Sequence, residues 1–201
     1  MTWDIKKIKQ IFLISGFPIL LALNTGFSAD DYEIDVTHTH IGFSVKHMVV
    51  TTVKGNFTDF SGSISVDKND LSKSWVKVKI KTTSINTNMQ KRDDHLRSAD
   101  FFNVEKFPEI KFESKSIQKK GDGYIAKGTL SMHGVSKEVS IPFTFAGPIK
   151  NPWGKYVIGI EGSLTINRED YGLTYNSILE SGGVLIGKEI KIELNVEAVR
   201  K

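Results

Sequence analysis

From Tyr32 onward the chain alternates apolar and polar residues at period two, in short runs that stop at clusters of turn-forming residues. The apolar members run Tyr32, Ile34, Val36; Ile41, Phe43, Val45; Phe60, Ile64, Val66; Val76, Val78, Ile80; and Ile110, Phe112. They continue as Tyr124, Ala126, Leu130; Val139, Ile141, Phe143, Phe145; Ile158, Ile160, Leu164, Ile166; and Ile190, Ile192, Leu194, Val196. Lys77, Lys79 and Lys81, or Glu189, Lys191 and Glu193, occupy the alternate positions, so each strand has one dry and one wet face. Asp67-Lys68-Asn69-Asp70, Lys120-Gly121-Asp122-Gly123, His133-Gly134 and Asn151-Pro152-Trp153-Gly154 read as hairpin connections. The pattern predicts an all-β fold. Many one-sided antiparallel strands with short turns build either a closed barrel or a two-sheet sandwich, and periodicity leaves both open.

One segment breaks the alternation. Residues 89–107 gather charges around Leu96, Ala99 and Phe102, spaced about three apart, which predicts a short amphipathic helix near residues 90–103, lying across the strands. Gly55, Gly62, Gly128, Gly159 and Gly162 fall within or beside strand runs, where glycine marks a bend, a close approach or unfilled interior space.

The first residues carry Lys6, Lys7 and Lys9 against Asp4, followed by an apolar run from Ile11 to Leu23. That order matches a secretory signal peptide, with cleavage after Ser28 or after Ala29. A helix over the run would reach roughly 20 Å where a hydrocarbon core needs about 30 Å, and Ser15, Gly16 and Pro18 interrupt it. The expected product is a periplasmic protein, free of stable membrane insertion. Removing residues 1–28 leaves 173 residues, the size of one domain, and nothing resembling a linker or repeat divides them. It also removes three lysines and one aspartate, lowering the formal charge from +4 to about +2, which gives no reason to expect nucleic acid. There is no cysteine, so stability must come from packing and strand pairing.

Three groups of residues invite a chemical reading. His38 and His40 would share one side of a strand, a possible start for a metal site, but no acidic residue stands at a compelling spacing and both suit a strand end equally. His47 follows Ile41, Phe43 and Val45 on the dry face and would bring a polar tip into an apolar interior, where it needs a partner. The run from Lys91 to Asp100 holds acids, bases and His95 within two helical turns, which suits catalysis or a helix held by local ion pairs such as Asp93 with Arg97. No nucleophile elbow, phosphate loop or dinucleotide fingerprint is present, so no catalytic residue, metal or cofactor is assigned.

Taken in order, several segments resemble one family. They are Tyr32-Glu33-Ile34-Asp35 with His38, Phe43-Ser44-Val45-Lys46-His47, and Val53 to Gly62. Ser84-Ile85-Asn86-Thr87, Arg92 to Phe102, Phe107-Pro108, Gly128-Thr129-Leu130 and His133-Gly134-Val135 follow, then Ile166-Asn167-Arg168 before Tyr171-Gly172 and the strand from Ile190 to Val196. The set resembles the YceI-like bacterial periplasmic proteins, also described as polyisoprenoid-binding and lipocalin-like. His40 departs from the pattern, standing where a small polar residue is expected.

The resemblance implies an eight-stranded antiparallel β-barrel of extended lipocalin-like type, whose long cavity takes a polyisoprenoid, an isoprenoid quinone or a similar alkyl chain. It permits a homodimer, although no strand edge demands one. On that reading the dry face supplies the lining: Phe43, Val45, Phe57, Phe60, Ile64, Val78, Ile80, Phe112, Leu130, Ile141, Phe143, Ile160, Leu164 and Ile192. His47, Arg92, His95 and Arg97 become candidates for the head group. Two other functions stay open: an enzyme acting on a lipid or quinone head group through the histidines and the Arg-Asp-Asp-His block, and a stress-related interaction protein whose barrel is a filled core.

Overall fold

Each alternating run forms a strand in the computed structural model, which describes residues 29–178 and 183–201; the expected signal peptide lies outside the described residues. The strands are β1 (Ala29–Ile34), β2 (His40–His47), β3 (Thr51–Phe57), β4 (Phe60–Asp67), β5 (Trp75–Lys81) and β6 (Ile85–Asn86). After helix α1 (Gln90–Arg97) come β7 (Glu109–Lys120), β8 (Gly123–Met132), β9 (Val135–Lys150), β10 (Tyr156–Asn167) and β11 (Ile186–Arg200).

Pairing register turns these eleven strands into eight staves. β1 and β2 lie end to end along β11, with Ile34 opposite Ala198 and, further along, His40 opposite Asn195 and His47 opposite Ile186. β4 and β3 run back along them, Tyr32 facing Ile64 and Phe43 facing Gly55. β5 and β6 form the third stave, through Val78 opposite Gly62 and Ile85 opposite Phe57. Single strands β7 to β11 complete an antiparallel ring in chain order, closed where β11 meets β1. Closure distinguishes this barrel from a sandwich and removes free sheet edges.

The interrupted staves are fixed by side chains. Between β1 and β2, the Asp35 carboxylate accepts from the Thr37 amide at 2.8 Å, the Thr37 hydroxyl at 2.6 Å and His38 Nδ1 at 2.9 Å. This break turns Val36 outward, although the alternation placed it with the dry positions. Between β5 and β6, buried Thr82 donates its hydroxyl to the Phe107 carbonyl at 2.8 Å. Two of the strand glycines do not leave space empty: a Cβ on Gly55 would lie 2.5 Å from Phe43 Cζ, and one on Gly128 would lie 2.8 Å from the Phe112 ring. Gly55 and Gly128 each give their side-chain volume to a neighbouring aromatic, whereas the place of a side chain at Gly62 is taken by Ile34.

The helix is shorter than its charge pattern suggested. It stops at Arg97, where the Ser98 hydroxyl and amide both turn back to the His95 carbonyl. Residues 98–107 continue as turns, which bring Phe102 inward and leave Ala99 exposed. Asp93 is buried and bonded to Thr87, and it is Asp94 that pairs with Arg97, at 3.1 Å. No helix of the described residues is long and apolar enough to cross a membrane.

Candidate functional site

The barrel encloses a cavity of about 440 Å³ with an almost wholly apolar wall. Its floor is made by Val66, Leu71, Ser74 and Ile117, and its rim by Lys46, His47, Tyr175 and Leu185. Ile186 and Val196 of β11 both face it, a stretch of strand of roughly 33 Å, or about 25 Å along a barrel axis at the usual strand tilt. Phe43, Val45, Val78, Ile80, Phe143, Ile160, Leu164 and Ile192 point inward yet are only half-buried, because one side of each meets open interior. A filled core would have buried them.

Of the eighteen residues predicted for the site, sixteen line this cavity. Phe57, Ile64, Phe112, Leu130 and Ile141 belong both to its wall and to the packed core. Phe60 and Arg97 are the exceptions. Phe60 is buried at the start of β4, beside the break after β3, and does not reach the cavity. Arg97 donates to the Thr83 and Ile85 carbonyls, both at 2.8 Å, and so fastens α1 to β6.

Polar lining residues other than Ser74 collect toward the rim. Arg92 donates Nε to the Thr87 hydroxyl at 2.7 Å, and that hydroxyl donates in turn to the buried Asp93 carboxylate at 2.5 Å. Arg92 is thereby held at the cavity edge. His95 Nε2 lies 3.0 Å from an Asp100 carboxylate oxygen, with its ring edge-on to Phe101 and Tyr175 at 5.0 and 4.8 Å. His47 sits at the last pair of β2, opposite Thr51 and Ile186.

Arg168 was not among the predicted site residues. It opens a 3₁₀ turn (Arg168–Tyr171) after β10, is 3% exposed and lines the cavity. Its guanidinium donates to the carbonyls of Gly187 at 2.9 Å, Leu173, and Ile186 at 3.4 Å. Burial pulls its pKa below the ordinary guanidinium value. Among the described residues no carboxylate comes within ion-pair distance of it, and neighbouring Glu169 pairs with Lys188 at 2.9 Å. The Asn167-Arg168 motif was visible in the sequence, but an arginine's burial is not a local property. Lys46, His47, Arg92, His95 and Arg168 thus face the cavity, and no aspartate or glutamate among the described residues does.

The other histidine pair separates. His38 turns to Asp35, with the Glu197 carboxylate 3.9 Å away, while His40 lies exposed on the wet face. The acidic neighbours that spacing did not offer therefore come from the strand break and from β11, outside the cavity. The hydrogen bonds to Asp35 hold its carboxyl down at about 2, and the Asp35 contact raises His38.

Comparison with known proteins agrees with this architecture. A YceI-like domain model matches residues 32–198. A UPF0312 protein of Serratia proteamaculans is 36% identical over 194 residues, covering 96% of this chain and 97% of the relative. The crystal structure of the Campylobacter jejuni YceI protein aligns with a TM-score of 0.66 at 34% identity, covering 78% of this chain and 90% of that one. A polyisoprenoid binding domain from Saccharophagus degradans shares the fold, with a TM-score of 0.62 at 15% identity, over 85% of this chain and 98% of that domain.

Proposed function

This chain belongs to the YceI-like family, and we propose that it is a periplasmic binding protein for a long-chain amphiphile, with no covalent chemistry of its own. The carrying observation is the long hollow interior, apolar along its wall and basic toward its rim. An isoprenoid or comparable alkyl tail would fill the barrel while its head group stays among Arg92, His95, His47 and Arg168. The polyisoprenoid binding named for the Saccharophagus domain supports the tail chemistry.

Desolvation supplies the affinity. Each methylene withdrawn from water contributes about 0.8 kcal/mol, so a tail of many carbons outweighs the cost of ordering it. The rim adds selectivity. A cationic head group would meet arginines and a lysine with no carboxylate of the described residues facing the cavity to receive it, whereas a phosphate, carboxylate or quinone oxygen would accept their hydrogen bonds. Export follows from the N-terminal pattern, and N-terminal sequencing of the exported protein is expected to begin at Ala29 or Asp30.

The test is to purify the protein without detergent, denature it in organic solvent and weigh what is released. A long-chain amphiphile at near one per chain is expected. A barrel that emerges empty and takes up neither polyprenyl phosphates nor long-chain quinones would sink the proposal.

A further inference from the structure

The β2–β3 hairpin turns through Met48 and Val49, with φ of 49° and 64°, and the Val50 amide closes it on the His47 carbonyl at 3.2 Å. Two consecutive residues at positive φ in a hairpin turn favour Asn and Gly and penalise a side chain branched at Cβ. A Met-Val tip breaks that rule, and burial does not compensate. Val49 and Val50 are 70% and 75% exposed, and Met48 40%. Ile178, 84% exposed, stands on the adjoining rim segment, which the hairpin meets where the Met48 amide donates to the Leu185 carbonyl at 2.8 Å. From Ile41 to Thr58 the chain has no acidic residue, while Lys46, His47 and Lys54 flank the tip. Lys46 and His47 also line the cavity, so the apolar tip adjoins its entrance.

We propose that this hairpin is a membrane-docking wedge. Met48, Val49, Val50 and Ile178 enter the interfacial layer of a bilayer containing anionic phospholipid, and Lys46 and Lys54 meet the phosphates. An apolar hairpin tip flanked by Lys46 and Lys54 matches hydrocarbon lying beneath a phosphate layer, and the cavity then opens onto the lipid surface. The docking geometry stands on the hairpin and the neighbouring Ile178; only its purpose, loading the barrel from the bilayer, rests on the carrier reading.

Vesicle flotation tests it. The purified protein is expected to float with phosphatidylethanolamine/phosphatidylglycerol vesicles, more weakly at raised salt, and more weakly with phosphatidylcholine alone. Met48→Asn combined with Val49→Gly installs the favoured turn sequence, so it should melt at the same or a higher temperature yet lose partitioning by about tenfold or more. Val50→Asp, which leaves the two left-handed positions untouched, should lose it as well. Wild-type protein that ignores anionic vesicles, or hairpin variants that float like wild type, would overturn docking. So would a hairpin that binds a membrane protein while ignoring lipid vesicles of every composition. Lipid extracted from a barrel that does not float would leave the carrier reading intact; an empty barrel that floats would leave docking intact and remove the carrier reading.

Discussion

At the floor of the barrel, Tyr32, Ile158 and Ala198 are all but closed to solvent, and Asp30 takes Lys68 at 2.9 Å and Arg200 at 3.1 Å. The connections there are compact: the 3₁₀ turn Leu71–Lys73, the turn at Gly121-Asp122, and residues 151–155 between β9 and β10. At the rim, the connections from β6 to β7 and from β10 to β11 are longer, a buried arginine faces the cavity, and apolar side chains stand in solvent. The same staves thus end in a packed plug and in an entrance framed by loops. Burial is concentrated where contacts are saturated, and the polar lining where the strands hand over to loops.

The largest expected effect lies at the floor. Tyr32→Ala should lower unfolding free energy by about 3–5 kcal/mol, because it opens a void in a saturated region. Val78→Ala, which widens a hollow already present, should cost about 1 kcal/mol. Denaturant midpoints of the lipid-free protein read both, and equal losses would contradict a hollow interior. Arg168→Met comes next. It strips hydrogen-bond donors from the carbonyls of Leu173 and Gly187, which should cost about 1–3 kcal/mol. Competition binding should show the variant losing its preference for a polyprenyl phosphate over the matching neutral polyprenol; an unchanged preference would remove Arg168 from head-group selection.

The smallest effect concerns the Asp35–His38 clasp. Asp35 titrates at about 2 when folded, so its contribution is present above the unfolded carboxyl value near pH 4 and is lost as pH falls through about 2. His38 is raised, so its contribution is present below about pH 6.5 and fades as pH rises through its folded value. Asp35→Asn should therefore depress the melting temperature most near pH 5–6, by about 2 °C, and less at either extreme. A difference that stays level as pH rises through the His38 range, while still vanishing in acid, would show that the hydrogen bonds from Thr37 alone hold the break.

What the sequence determined by itself was direction. Period-two alternation is a local consequence of extended backbone, so Phe43, Val45, Val78, Ile80 and Ile192 could be assigned to one face, and they line the cavity. Locality also explains the misplacements. Phe60 and Val36 sit beside strand breaks where the alternation resets, and the helix expected to reach residue 103 ends at Arg97 because Ser98 caps it.

The tertiary structure decided everything that joins distant residues. Closure depends on β1 meeting β11, with Tyr32 opposite Arg200, and alternation is the same for a strand in a barrel or a sandwich. The meeting of His38 with Glu197 depends on the same closure, while the filling of Gly55 by Phe43 and the burial of Arg168 against carbonyls of another segment depend on a neighbouring strand or loop arriving in register. Side-chain direction is set within a few residues by backbone geometry; which partner lies in that direction, or whether the space stays empty, is set only when the ring of hydrogen bonds shuts.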